Sequence, residues 1–252
     1  MITPEQPKPI SRGFAMKVLA MFACKNPVRS NISGYCREVQ DGFVTYYATD
    51  GCVLFTLRAP FEGEPERKNL SFHGDEFDGA FPNVRHILEV YQSGTESAEI
   101  NLASWETLSR VRRKNQRCND HVCVCPHGYA AAFGELNING LVGYLPLHRA
   151  GTIYKAFREL HGKHSLLPAK VTVNQHDDGC VSGWHFETQL RAGATASIVL
   201  LTCHDAKAHK TISLDPETLN LLGLMWDEKD AQKRAVRAAE RTQIAETYSL
   251  PL

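Results

Sequence analysis

Y-A-T-D-G-C-V-L-F, residues 47–55, sets Asp50-Gly51 between two runs of strand-forming residues. Gly accepts a positive φ without a Cβ clash, so an Asp-Gly pair flanked by β-branched and aromatic residues reads as a hairpin turn. A second pair, Asp41-Gly42, lies one strand-length upstream. Together the two turns cut the region into I-S-G-Y-C-R-E-V, F-V-T-Y-Y-A-T and C-V-L-F-T-L-R-A, a three-stranded meander. Ahead of it, S-R-G-F-A-M-K-V-L-A-M-F-A-C (11–24) has Ser11 at an N-cap position and Phe14, Val18 and Met21/Phe22 on one helical face. The unit is therefore a helix followed by a meander.

The same order of elements recurs. A-E-I-N-L-A-S-W-E-T-L-S-R-V-R-R-K predicts a strand, an Asn or Ser cap and a helix, with H-V-C-V-C, Y-A-A-A-F-G and L-V-G-Y-L-P-L as strands behind it. R-A-G-T-I-Y-K-A-F-R-E-L-H opens a third pass, with strands A-K-V-T-V-N-Q, S-G-W-H-F-E-T-Q-L and A-T-A-S-I-V-L-L-T-C, and turns at Asp178-Gly179 and Ala192-Gly193. A fourth pass begins with strand K-T-I-S-L, Asp215 as N-cap and Pro216 at the first helical position. Its strands are replaced by D-E-K-D-A-Q-K-R-A-V-R-A-A-E-R-T-Q-I-A-E-T, helical by propensity and polar almost all round. The segment 60–98, with Pro60, Pro65 and Pro82, reads as irregular. The pattern predicts an α+β fold of repeated helix-plus-meander units, sheets outside and helices on one face.

Bulk properties narrow the classes. The chain has 252 residues, 43% of them hydrophobic and 22% charged, which is globular material with room for one large domain or two small ones. Lys plus Arg and Asp plus Glu stand at 28 each, so any attraction to nucleic acid must come from local clustering. Eight Cys with neither a signal-peptide core nor a membrane-length apolar run predict reduced thiols in a cytoplasmic protein without membrane partners. Walker, dinucleotide-binding and H-E-x-x-H motifs do not occur, so the sequence calls for no cofactor and gives enzymatic activity no positive support.

Two stretches carry a resemblance. Y-A-T-D-G-C-V-L-F resembles the A-T-D-G-H-R-L-A turn of bacterial DNA polymerase III β sliding clamps, and G-A-F-P-N-V-R-H-I-L (79–88) is similar to their D-G-x-F-P-D-Y-R-R-V-L, with His86 where the family usually has Arg. G-Y-L-P-L-H (143–148) is faintly like the V-x-M-P-M-R strand that closes a clamp chain. From Ser11 to His148 the likeness is in letters as well as order; beyond that it is in topology alone. The Pro-rich start reads as a flexible lead (1–10); the likeness implies a clamp-like domain (11–148) and a second with its last unit truncated (149–226), after which come the polar helix and C-terminal peptide (227–252). Bacterial clamp chains have three domains and close as dimers, and two-domain clamps close as trimers. A missing edge in the last unit puts ring closure of a homo-oligomer in question.

The resemblance also implies a function: a non-enzymatic processivity or recruitment factor in DNA replication or repair, with duplex DNA and a polymerase or other replication protein as partners. Clamp helices meet phosphates through basic residues without reading sequence, by salt-sensitive counterion release. The candidates are Lys17 and Lys25 on the first helix, Arg110, Arg113, Lys114 and Arg117 on the second, and Arg149, Lys155 and Arg158 on the third. A solvated helix face is the alternative for each.

Cys118, His121, Cys123, Cys125 and His127 crowd into ten residues. They read either as small side chains on a buried strand or as a zinc site of a nucleic-acid enzyme, of which Cys118, Cys123, Cys125 and His127 would be ligands. The chain closes on T-Y-S-L-P-L (247–252), which matches the last four positions of the Q-L-S-L-P-L peptides that dock on bacterial clamps. Tyr248, Leu250, Pro251 and Leu252 would make that contact, giving a phage- or plasmid-type protein that binds a host β clamp; otherwise the tail packs on its own sheets.

Overall fold

A computed structural model describes residues 12–77, 79–108, 133–162, 166–177, 179–202 and 211–248. Helix α1 (Arg12–Leu19) leads into strands β1 (Tyr35–Gln40), β2 (Phe43–Thr49), β3 (Val53–Pro60) and β4 (Glu66–Leu70), then helix α2 (Val84–Gln92) and β5 (Glu96–Asn101). Strands β6 (Phe133–Ile138) and β7 (Leu141–Pro146) precede helix α3 (Leu147–His161). Strands β8 (Pro168–Gln175), β9 (Val181–Gln189), β10 (Thr195–Leu201) and β11 (Thr211–Ser213) follow, and helix α4 runs from Pro216 to Tyr248.

The first and third expected units are present as α1 with β1–β3 and α3 with β8–β10; in the second, the expected helix opens as a 3₁₀ turn (Leu102–Thr107), H-V-C-V-C lies outside the described residues, and β6 begins at Phe133, within Y-A-A-A-F-G. Asp50 builds the β2–β3 turn: its Oδ1 accepts from the backbone N–H groups of Cys52 and Val53, both at 3.0 Å, while Gly51 takes φ +94°. Asp41-Gly42 and Asn139-Gly140 both hold positive φ at two successive residues, the geometry that matches the twist of a tight hairpin. The segment expected to be irregular instead contains β4 and α2. Its prolines mark boundaries: Pro60 closes β3, Pro65 precedes β4 and Pro82 precedes α2. The two helical stretches after Asp215 form one 33-residue helix, capped by Asp215, which accepts from Thr218 N at 2.8 Å. Hydrogen bonds from Ser213 and Thr218 hold that carboxyl down at about 2.

Eight strands form one sheet in the order β4-β1-β2-β3-β10-β9-β8-β5, and β11-β6-β7 form a smaller one. The last strands of two meanders, β3 and β10, pair antiparallel at the seam, with Phe55 opposite Ile198. The large sheet and its core thus run through both stretches expected as separate domains at 148/149.

One sheet face carries the main core. Phe22 from the end of α1 stacks on Phe55 at 4.8 Å, and Trp105 meets Phe186 edge-on at 5.7 Å. Ala15, Val18 and Leu19 of α1 and Ala150, Ile153, Ala156 and Phe157 of α3 are buried in the same cluster, so both helices lie on this face. The opposite face bears a second cluster of Cys36, Tyr47, Leu54 and Val199, closed by Phe81 and Val84 from the G-A-F-P-N-V segment. No helix among the described residues is long and apolar enough to cross a membrane.

Candidate nucleic-acid interface

Because α3 is buried along most of its length, its solvent side is narrow: His148, Lys155, Arg158 and Glu159 recur there at helical spacing. Against it lies α1, whose exposed Lys17 donates to Glu159 Oε2 at 2.8 Å. Arg158 Nη1 donates to Glu106 Oε1 at 3.2 Å and to the Tyr154 hydroxyl at 3.1 Å. The two ion pairs are solvent-exposed and contribute only about 0–1 kcal/mol each, so a phosphate can compete for either cation. The carboxylates remain beside the cations, however, and lower the net field that this stripe offers a polyanion.

Arg149 stands apart from the stripe. Its side chain is 15% exposed and its Nη1 lies 2.5 Å from Asp50 Oδ2. One carboxylate therefore holds both the β2–β3 turn and the first turn of α3, joining the hairpin motif to the third helix. Lys25 is exposed just past α1, before a 3₁₀ turn (Pro27–Ile32) capped by Asn26.

Of the remaining candidates, Arg110, Arg113, Lys114 and Arg117, the set Cys118, Cys123, Cys125 and His127, and Leu250, Pro251 and Leu252 lie outside the described residues. Tyr248 is the last residue of α4. Among the described residues no group of three or more His, Cys, Asp or Glu is placed to hold a metal ion.

The other face of the sheet holds polar residues that sequence reading passed over. Glu38, 8% exposed, accepts from the Tyr47 hydroxyl at 3.1 Å and pairs with Arg85 of α2 at 3.0 Å. Burial and the Glu38 charge push the Tyr47 hydroxyl up to about 12. His185, 3% exposed, has no hydrogen-bond partner for Nε2 among the described residues. Burial, then the Lys170 charge, bring its pKa down to about 4. The polar residues Glu38 and Gln40, and Thr56 and Arg58, each two apart along a strand, are a readable signal for a common face; which strands bring them together is not.

No family model matches the chain, and no curated protein matches it in sequence. Solved structures do. The DNA polymerase III β chain of Streptococcus pneumoniae superposes with a TM-score of 0.55 at 9% identity, covering 81% of this chain and 66% of that one. The β subunit of Thermotoga maritima gives 0.51 at 12% identity, over 81% and 68%. The Helicobacter pylori β clamp bound to a DNA ligase peptide gives 0.53 at 8%, over 75% and 62%. The chain thus spans about two thirds of the length of these clamps. At such identities the likeness is one of backbone architecture, and that architecture is the fold of the bacterial DNA polymerase III β sliding clamps.

Proposed function

We propose that this chain is a clamp-like processivity or recruitment factor in DNA replication or repair, non-enzymatic, holding duplex DNA along the α1–α3 face. The reading is carried by one observation: α1 and α3 lie side by side on one face of a hairpin-built sheet whose backbone matches polymerase III β clamps. Lys17, Lys155 and Arg158 would supply the described part of a phosphate-contacting surface, with Lys25 at its margin and the 110–117 cluster as its main charge. Each such contact adds to the salt dependence and none reads sequence. Arg149 serves the fold through Asp50 and adds to DNA binding only indirectly. The cytoplasm of a bacterial or phage-infected cell suits such a factor.

The test is gel filtration with light scattering, followed by retention on nicked circular DNA and release on linearisation. A ring-forming oligomer that slides off cut DNA is the expected result. A strict monomer with no preference for circular DNA would remove the encircling version.

A second reading is supported by α4. Beyond buried Leu219 its described side chains, among them Leu221, Leu224 and Val236, are exposed. A 33-residue helix is about 50 Å long, enough to present T-Y-S-L-P-L away from the body. On this reading the tail docks in the peptide groove of a host β clamp, and Pro251 lowers the entropy lost on docking. Capture of a bacterial β clamp by the full chain, but not by one lacking residues 247–252, is expected; equal capture by both would count against it.

A further inference from the structure

On the sheet face opposite α1 and α3, a groove of about 430 Å³ opens beside α2. Its floor is a regular lattice set by strand register. Across one row Thr45 faces Arg58, which faces Thr195; across the next Tyr47 faces Thr56, which faces Ser197. Side chains in such rows stand about 5 Å apart, so five hydroxyl-bearing residues share one small patch with Arg58. Tyr47, Thr56 and Ser197 are each buried to more than nine-tenths, although they line an open groove.

Two features of this lattice point to a ligand. The Thr56 hydroxyl is buried and has no hydrogen-bond partner among the described residues, a state that folded proteins rarely keep without a use. Arg58 stands over the Phe43 ring, its Cζ 3.5 Å from the centroid, and no carboxylate pairs with it among the described residues. A guanidinium so stacked keeps its planar fork of N–H donors fixed, which suits an oxyanion.

The nearby carboxylates do not cancel that charge. Glu38 is held by Arg85, Arg67 and the Tyr47 hydroxyl. Glu187 sits two strands over and one row along from Arg58, between Ser197 on one side and Lys170 on the other. Asp41 belongs to the β1–β2 turn at the rim.

We propose that this groove binds a phosphate-type oxyanion, with Arg58 supplying the charge and Thr45, Thr56, Thr195 and Ser197 supplying hydroxyl donors. The volume exceeds what a bare phosphate fills and falls in the range of small-molecule sites, so a small phosphate ester is the ligand class it fits. The site is separate from the α1–α3 face and stands or falls independently of DNA retention.

The experiment is calorimetric titration of the full chain at constant ionic strength with inorganic phosphate, ribose 5-phosphate, adenosine 5′-monophosphate and, as control, ribose. Saturable binding of phosphate or its esters but not of ribose is expected. Arg58→Gln should weaken it roughly tenfold or more, and Thr56→Val by a smaller factor, with thermal midpoints near the parent's. Tighter binding of the esters than of inorganic phosphate would identify an ester as the natural source; equal affinity would identify free phosphate. Absence of saturable binding, or equal binding by the parent and Arg58→Gln, would overturn the proposal.

Discussion

Acid should loosen this protein through His185, and the size of the effect follows from its position. The ring is 3% exposed, on β9 between Thr172 and Val199 of the neighbouring strands. Burial disfavours the charged ring, and Lys170, two residues from Thr172 on the same face, disfavours a second positive charge. A pKa of about 4 against 6.5 means the folded state holds the neutral ring. Its contribution is therefore present above pH 6.5 and disappears as pH falls through 4. At 1.36 kcal/mol per unit the full contribution is about 3 kcal/mol, of which roughly 2.5 is gone by pH 4.5.

Urea unfolding followed by circular dichroism at pH 7.5 and pH 4.5, on the parent and on His185→Gln, isolates this term because carboxylate titration is common to both. The parent should lose about 2.5 kcal/mol more than the variant between the two pH values. Equal losses would refute the reasoning, since they would mean that the imidazolium is accommodated in the folded state.

Other outcomes follow from single contacts. Gly34→Ala should cost about 1–3 kcal/mol in unfolding free energy, because its Cβ would run into the Leu70 carbonyl oxygen where β1 meets β4. Gly13→Ala, in α1 with nothing within 4 Å, should instead raise stability by up to about 1 kcal/mol. Asp50→Ala and Arg149→Ala should each destabilise by about 1–3 kcal/mol, and their double-mutant cycle should show a coupling above 0.5 kcal/mol. Tyr47, whose folded pKa is raised, should contribute stability that is fully present below pH 10 and is lost as pH rises toward about 12. In alkaline unfolding Tyr47→Phe should lack that phase.

What the sequence makes legible here is local chemistry. Asp-Gly pairs, helical apolar spacing, an Asp-Pro helix start and period-two apolar runs locate the turns, the strands β1, β2, β3 and β8–β10, and helices α1, α3 and α4, because each signal is confined to a few neighbouring residues. The segment 60–98 misleads because its prolines stand at element boundaries, where they are compatible with β4 and α2, and not inside them. Pairings between distant segments leave no local mark. Nothing near Lys17 announces Glu159, 142 positions away, and nothing near Asp50 announces Arg149. The cations of the candidate interface are visible as residue types, while their partial neutralisation depends on helix packing. The hydroxyl lattice around Arg58 escapes for the same reason, since its rows exist only once β2, β3 and β10 lie in register.

The seam between β3 and β10 also sets a schedule for the nascent chain. The apolar run V-L-F-T-L leaves the ribosome with one side unpaired, and its partner strand follows about 135 residues later, on the order of ten seconds at ordinary translation rates. During that interval β3 is an adhesive margin open to any extended segment nearby. Synthesis of this protein should therefore be sensitive to holdase supply and to elongation speed, and slow codons between the two halves would prolong the exposure.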